Sequence, residues 1–143
     1  MELIKLSQLI DNTHIFDIFE ITQNTGFKNF SNVEIKDINS CKNYLYWLIK
    51  NSDYYGIKLN GKIIGIVGYH SVNYIAYILN DKYQKQGYLS KVFPIFLDYG
   101  FQICNEILAS IIKENEKSIH FIQKFGFELF KETPERYIYK KSR

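Results

Sequence analysis

The sequence lacks the segments that define several large classes of protein. Among its 143 residues are only two cysteines and two prolines. Cys41 and Cys104 lie far apart and outside any CxxC pattern, so we expect buried free thiols and neither a disulfide nor a metal site. No apolar run approaches the ~20 residues of a membrane span, and no secretory signal opens the chain. We therefore expect a cytoplasmic protein with no membrane partner.

The sequence also lacks a concentrated charge of either sign. Its 18 Lys and Arg residues are interleaved with 15 Asp and Glu residues, which gives a net charge of only +3. A protein that binds duplex nucleic acid, or a small RNA-associated protein, needs basic residues grouped on one surface. No such group is present, so we expect no nucleic-acid partner. Hydrophobic residues make up 46% of the chain, which is a globular composition, and residues 1–143 fit a single domain.

The hydrophobic period changes several times along the chain, which predicts a mixed order of strands and helices. Helical spacing predicts helices over residues 14–26, 37–51, 90–103 and 116–125. Alternation predicts strands over residues 2–9, 54–59, 62–70, 73–79, 106–112, 127–132 and 136–141, with a tight hairpin at Asn60-Gly61. This order indicates an α/β (α+β) layered domain, with about four helices flanking a mostly antiparallel sheet of six or seven strands.

A polar loop, QKQGYLS at residues 84–90, joins the strand that ends near Leu79 to the next helix. Free amides of the loop and of the first helical turn, together with the helix dipole, make a site for phosphate oxygens. Gly87 lets the backbone approach a ligand closely, and Gln84, Lys85 and Gln86 add donors. The alternative is an ordinary turn with exposed polar residues. The spacing matches neither GxxxxGK[ST] nor GxGxxG.

A second segment, NEKSIHFIQKFGFE at residues 115–128, helps to interpret the loop at residues 84–90. Together the two segments resemble the GNAT superfamily of N-acetyltransferases. The first signature is met by Gln84 and Gly87 but not by Leu89, and the second is met by Asn115, Ser118, Gly126 and Phe127. Within the superfamily, the chain looks most like the branch that acetylates ribosomal-protein N-termini, the RimJ/RimL type. The match extends from about Tyr54 to Phe130.

The resemblance implies that the cofactor is acetyl-CoA and assigns residues to it. Its diphosphate would lie on the loop amides of Lys85, Gln86, Gly87, Tyr88, Leu89 and Ser90. Its pantetheine arm would lie along Ile78 and Leu79 like an added strand, with a main-chain N–H near Leu79 on the thioester oxygen. Asn115 would bind the pantetheine amides. Ser118 and Lys124 are lesser candidates, since Ser118 also fits a helix cap and Lys124 a solvated helix face.

The catalytic groups are less clearly marked. Some relatives carry a glutamate at the start of the cofactor strand, where this chain has Asn73 and Tyr74. Some carry a tyrosine acid seven residues after the signature asparagine, where this chain has Ile122. The nearest polar candidates for catalysis are Tyr77, Tyr74 and Asn73, with His70 close by.

These features predict an acetyl-CoA-dependent N-acetyltransferase that acts on a primary amine. The acceptor could be a protein N-terminus, a polyamine or another small amine, and the N-terminal third does not select among them. The alternative is a non-catalytic CoA-binding sensor or partner-binding module of the same fold, which the missing acid and base positions motivate. Many members of the superfamily dimerise, and the sequence does not decide whether this chain forms a homodimer.

Overall fold

The computed structural model describes residues 1–143, which form one seven-stranded sheet between two layers of helices. The strands are β1 Glu2–Lys5, β2 Asp53–Leu59, β3 Lys62–His70, β4 Tyr74–Leu79, β5 Glu106–Ile112, β6 Glu128–Glu132 and β7 Arg136–Ser142. The helices are α1 His14–Thr22, α2 Phe27–Phe30, α3 Ile38–Asn51, α4 Tyr88–Phe101 and α5 Glu116–Lys124, with single 3-10 turns at Leu6–Gln8 and Asp81–Tyr83. No helix is long and apolar enough to cross a membrane.

The sheet has the strand order β1-β2-β3-β4-β5-β7-β6. All neighbouring strands are antiparallel except β4 and β5, which run parallel. The long crossover between those two strands contains α4, as a parallel connection requires. The predicted fold class and the mostly antiparallel sheet are thereby confirmed.

The first helical layer consists of α1, α2 and α3, which cover one face of the N-terminal half of the sheet. On α1, Ile15, Ile18 and Ile21 are buried at helical spacing. On α3, a capping box between Asp37 and Ser40 satisfies the first amides. The buried residues of α3 recur at helical spacing and are Cys41, Tyr44, Leu45 and Leu48. A cluster of 16 buried residues lies between these helices and the sheet.

The second layer consists of α4 and α5, which cover the opposite face and enclose a second cluster of 16 buried residues. Phe93 of α4 is fully buried at its centre. Its ring lies 5.4 Å from Tyr77, 5.0 Å from Phe121, 4.8 Å from Phe125 and 6.4 Å from Phe127, measured between centroids. Because these rings come from a strand, two helices and a loop, they fix α4 and α5 on the sheet.

The strands β4 and β5 separate soon after they meet. Their only registered pair is Tyr74 with Leu108, where the Leu108 amide donates to the Asn73 carbonyl. No pair follows toward the C-terminal end of β4, so the sheet is split between the two strands there. We call this opening the β4–β5 split.

Several predicted boundaries were wrong. The opening strand ends at Lys5 because the chain turns into a 3-10 turn, and the first helix ends at Thr22, after which the short helix α2 follows. The helix predicted from Ser90, α4, begins at Tyr88, because Gly87 takes the N-cap position with φ +80°. These differences lie at chain turns, where tertiary packing decides the backbone path.

Candidate functional site

The loop before α4 presents a row of free main-chain donors. None of the six amides from Lys85 to Ser90 makes a backbone hydrogen bond, and no side chain caps the helix. Lys85 and Gly87 both have positive φ, +63° and +80°, which is the left-handed backbone conformation found in loops whose successive N–H groups bind anions. The predicted anion site therefore has the required donors at the positive end of a 14-residue helix.

Gln84 holds this loop in place and is not a free donor. Its Nε2 donates to the Leu79 carbonyl and to Asp81 Oδ1, both at 3.2 Å, and its Oε1 accepts from Lys117 Nζ at 2.8 Å. The side chain thereby ties the loop to the end of β4 and to the first turn of α5. Gln86 is likewise engaged, since its Nε2 donates to the Lys82 carbonyl at 3.2 Å.

The first turn of α5 lies beside β4. Asn115 caps the helix by accepting the Ser118 amide on Oδ1 at 3.4 Å, which leaves its Nδ2 free to donate. The Ser118 hydroxyl bonds to the Tyr77 hydroxyl at 2.5 Å. Burial raises the pKa of the Tyr77 phenol to about 12, although this hydrogen bond acts in the opposite direction. Tyr77 is therefore protonated at neutral pH and can donate a proton but cannot act as a base.

Main-chain groups of β4 line the split. The Asn80 amide donates to the Ile64 carbonyl on β3 at 2.7 Å, so the ladder alternation directs the even-numbered residues of β4 toward β3. The N–H and C=O groups of Tyr77 and Leu79 then point toward β5, beyond the last pair of the two strands. The Leu79 amide thus points into the β4–β5 split.

The candidates for catalysis fall on opposite faces of the sheet. Tyr77 faces α4 and α5, whereas Tyr74 lies on the other face and stacks on His70, with ring centroids 5.5 Å apart. Burial first, and then the charge of Arg136, lower the pKa of His70 below its usual value. Asn73 donates from Nδ2 to the Glu106 carbonyl at 3.1 Å, which ties it to the closed end of the split.

The remaining predicted residues differ in their exposure to solvent. Lys124 and Ser90 are exposed, and Ile122 is fully buried, so no polar group replaces the tyrosine that some relatives carry there. Sequence reasoning missed Asn80, whose Nδ2 is buried at the end of β4 without a hydrogen-bond partner. It also missed Arg136, which only the folded sheet brings near His70.

The family of this chain follows from its match to a family model. The model described as the acetyltransferase (GNAT) domain matches residues 5–128. Among curated proteins, the spermidine N(1)-acetyltransferase of Escherichia coli strain K12 is 28% identical over 81 residues, or 51% of this chain and 44% of the relative. The chain thus spans less than half the length of the curated relatives it matches.

Solved structures share the architecture. The acetyltransferase PseH of Campylobacter jejuni, solved with acetyl coenzyme A, superposes with a TM-score of 0.76 at 15% identity, covering 99% of this chain and 98% of that one. The ribosomal-protein-S5-alanine acetyltransferase of Vibrio fischeri gives 0.74 at 21% identity, with 99% and 91% covered. Microcin C7 self-immunity acetyltransferase MccE, solved with acetyl-CoA and AMP, gives 0.75 at 18% identity, with 91% and 87% covered.

The fold and the loop define an α/β domain with a row of unpartnered amides at a helix N-terminus beside a split sheet. The chain belongs to the acetyltransferase (GNAT) domain family.

Proposed function

We propose that the protein is an acetyl-CoA-dependent N-acetyltransferase that acts on a primary amine. The observation that carries the proposal is the row of unpartnered amides from Lys85 to Ser90 beside the β4–β5 split. Six such donors fit a diphosphate, which has enough oxygens to accept from all of them. Membership of the family and the acetyl-CoA named with two of the similar structures support the same cofactor.

The donors on each wall of the split fit the rest of the cofactor. Free main-chain groups of Tyr77 and Leu79 offer a strand edge to the amides of a pantetheine arm, and Asn115 Nδ2 is a further donor. The Leu79 N–H is the donor that we assign to the thioester oxygen, where negative charge develops. The cofactor supplies an acetyl group activated as a thioester.

In the transfer, the amine nitrogen bonds to the acetyl carbon, the carbon–sulfur bond breaks, the amine loses a proton and the sulfur gains one. We assign Tyr77 as the proton donor on the α5 side, because its hydroxyl is protonated and is oriented by Ser118. His70 and Tyr74 lie on the other face, from which the amine approaches. A lowered pKa keeps His70 neutral near pH 7, so that it can accept a proton. We assign Asn73 a structural role, because its side chain links the start of β4 to β5.

For the acceptor, we propose only its chemical class, a primary amine. Spermidine is named with one relative and a ribosomal-protein alanine with one similar structure, the latter in line with the RimJ/RimL resemblance. Both acceptors present a primary amine, which is the chemistry they share. A non-catalytic CoA-binding module is the second candidate, and the buried Ile122 in place of a tyrosine favours it.

Two measurements, made one after the other, test the proposed function. Calorimetry with coenzyme A comes first, and we expect saturable binding at one site per chain. Release of free thiol from acetyl-CoA is then followed with a panel of amines, and we expect turnover on at least one. Binding without turnover on any amine would favour the non-catalytic module, and absence of binding would remove both candidates.

The proposed proton donor is tested with Tyr77→Phe. We expect kcat to fall roughly a hundredfold, because the departing sulfur loses its acid, while the affinity for coenzyme A is unchanged. Tyr69→Phe is the matched control, since Tyr69 is a buried tyrosine that donates to the Phe96 carbonyl at 2.7 Å. It loses a comparable hydrogen bond away from the split and should keep its kcat. An unchanged kcat in Tyr77→Phe would make that hydroxyl structural.

A further inference from the structure

The sheet face that carries His70 and Tyr74 has no helix over its C-terminal half. The helices that make the main contacts with β5 are α4 and α5, and both lie on the opposite face. Beyond the edge of α1–α3, the open face displays half-buried side chains from adjacent strands: His70 and Tyr74, then Ser110 on β5 and Arg136 on β7. An acceptor that approaches the split from this face meets these groups first.

Arg136 reaches from β7 back to the edge of the split. It pairs with Ile112 on β5, and its Nη1 donates to both the carbonyl oxygen and the Oγ of Ser110, each at 3.3 Å. The Leu108 amide bonds to β4, so the main-chain groups of Leu108 and Ser110 point toward β4. The Ser110 carbonyl therefore faces the split, and the guanidinium bound to it lies at the rim of the opening.

The β4 side chain that is level with Ser110 is small. Because Tyr74 pairs with Leu108 in a parallel register, Ala76 is level with Ser110 and lies on the same face. Ala76 is half-buried and packs against the first core cluster, so its methyl group extends little toward Arg136.

The charge of Arg136 has no partner within the chain. The five ion pairs of the protein involve other residues, and the nearby Glu132 is bound to Lys113 at 2.6 Å. A half-buried cation without a counter-ion loses hydration without regaining it from a carboxylate. The Nη2 and Nε donors of Arg136 remain free, in the planar arrangement that matches a carboxylate or a phosphate.

We propose that Arg136 binds an anionic group, a carboxylate or a phosphate ester, on the amine that accepts the acetyl group. This inference rests on the proposed acetyl transfer and names its substrate class. The acceptor is then a small amine such as an amino acid or an amino phosphate. A polyamine is disfavoured, because it would bring a second positive charge toward an uncompensated arginine.

The experiment compares amines that differ only in the anionic group. The pairs are phenylalanine with phenethylamine, alanine with ethylamine, and O-phosphoethanolamine with ethanolamine, and spermidine is included. Thiol release gives kcat/KM for the wild-type protein, Arg136→Met, Arg136→Lys and Arg143→Met. The last variant is the matched control, because Arg143 is exposed at the end of the chain and its main chain alone makes a hydrogen bond.

We expect the wild type to prefer the anionic member of at least one pair by about tenfold or more in kcat/KM. The preference should appear mainly in KM and should vanish in Arg136→Met. It should be partly retained in Arg136→Lys, which keeps the charge but lacks the planar pair of donors of the guanidinium. The readout for Arg136→Met is the ratio of kcat/KM between the two members of a pair, because loss of the Arg136 charge also removes one cause of the lowered pKa of His70 and so acts on both members alike. All activities of Arg143→Met should be unchanged. Loss for the carboxylates alone, or for the phosphate alone, would identify the anion.

Other results overturn the inference. It fails if spermidine or another amine without an anion is the best substrate, or if Arg136→Met keeps the preference. If no amine is turned over, binding of the same amines is measured by thermal unfolding of the protein saturated with coenzyme A. Greater stabilisation by the anionic members, lost in Arg136→Met, supports the inference, and equal stabilisation overturns it. Failure to bind coenzyme A is seen by calorimetry beforehand and removes the proposed function itself.

Discussion

Replacement of Gly87 by valine is expected to lower the affinity for coenzyme A by about a hundredfold or more. Gly87 has φ +80°, and a β-branched residue is strained there by roughly 1–2 kcal/mol. The added Cβ meets no atom within 4 Å, so the protein should fold and the strain should be relieved by rearrangement of the loop. The rearranged loop no longer directs its row of amides at one point. Calorimetry with coenzyme A measures the loss.

Gly61→Val provides the matched control for this prediction. Gly61 also has φ +80° and open space around its Cβ position, but it lies in the hairpin between β2 and β3, away from the split. We expect a similar loss of stability in both variants and normal binding of coenzyme A by Gly61→Val. Normal binding by Gly87→Val would show that the loop backbone does not hold the diphosphate.

Replacement of Phe93 by alanine is expected to lower the free energy of unfolding by about 3–5 kcal/mol. The ring is fully buried and contacts four other aromatic rings, so its removal leaves a cavity between α4, α5 and the sheet. Since small domains are stable by only ~5–15 kcal/mol, this loss is a large fraction of the total. Urea unfolding followed by circular dichroism measures it.

The variants Phe93→Leu and Ile95→Ala are the controls for the loss of stability expected in Phe93→Ala. Leucine keeps most of the volume and should be less destabilising than alanine, which shows that the cavity is the cause. Ile95 lies on the same helix but its side chain is half exposed, so its truncation should change stability by less than about 1 kcal/mol. Equal losses from Phe93→Ala and Ile95→Ala would contradict the assigned core.

Much of the fold could be predicted because its signals are local. The alternation in β2 and β3, with Asn60 and Gly61 both at positive φ, marks a hairpin that needs no distant contact. The helix predicted over residues 37–51 also rests on a local signal, the helical spacing of its apolar residues, and α3 is found at Ile38–Asn51. The boundaries of α1 and α4 could not be predicted as well, because their ends depend on what the chain packs against next.

The candidate site divides in the same way. Loop 84–90 and Asn115 are recognisable in the sequence, because free amides at a helix start and a capping asparagine depend on nearby residues only. The roles of Gln84, Tyr77 and Arg136 are not, since each depends on a partner more than 20 positions away. The sequence marks Tyr77 as a candidate, but only the sheet places its side chain toward α5, and Arg136 was missed entirely.

By itself, the sequence determined the order of elements, the family resemblance and the stretch of backbone suited to an anion, because these follow from hydrophobic period and short-range hydrogen bonding. Only the tertiary structure decided that β4 and β5 separate, that Tyr77 meets Ser118, and that an unpaired Arg136 lies at the rim of the split. The physical reason is that strand pairing and side-chain direction are set by residues distant in the chain, whose contacts form only when the sheet closes.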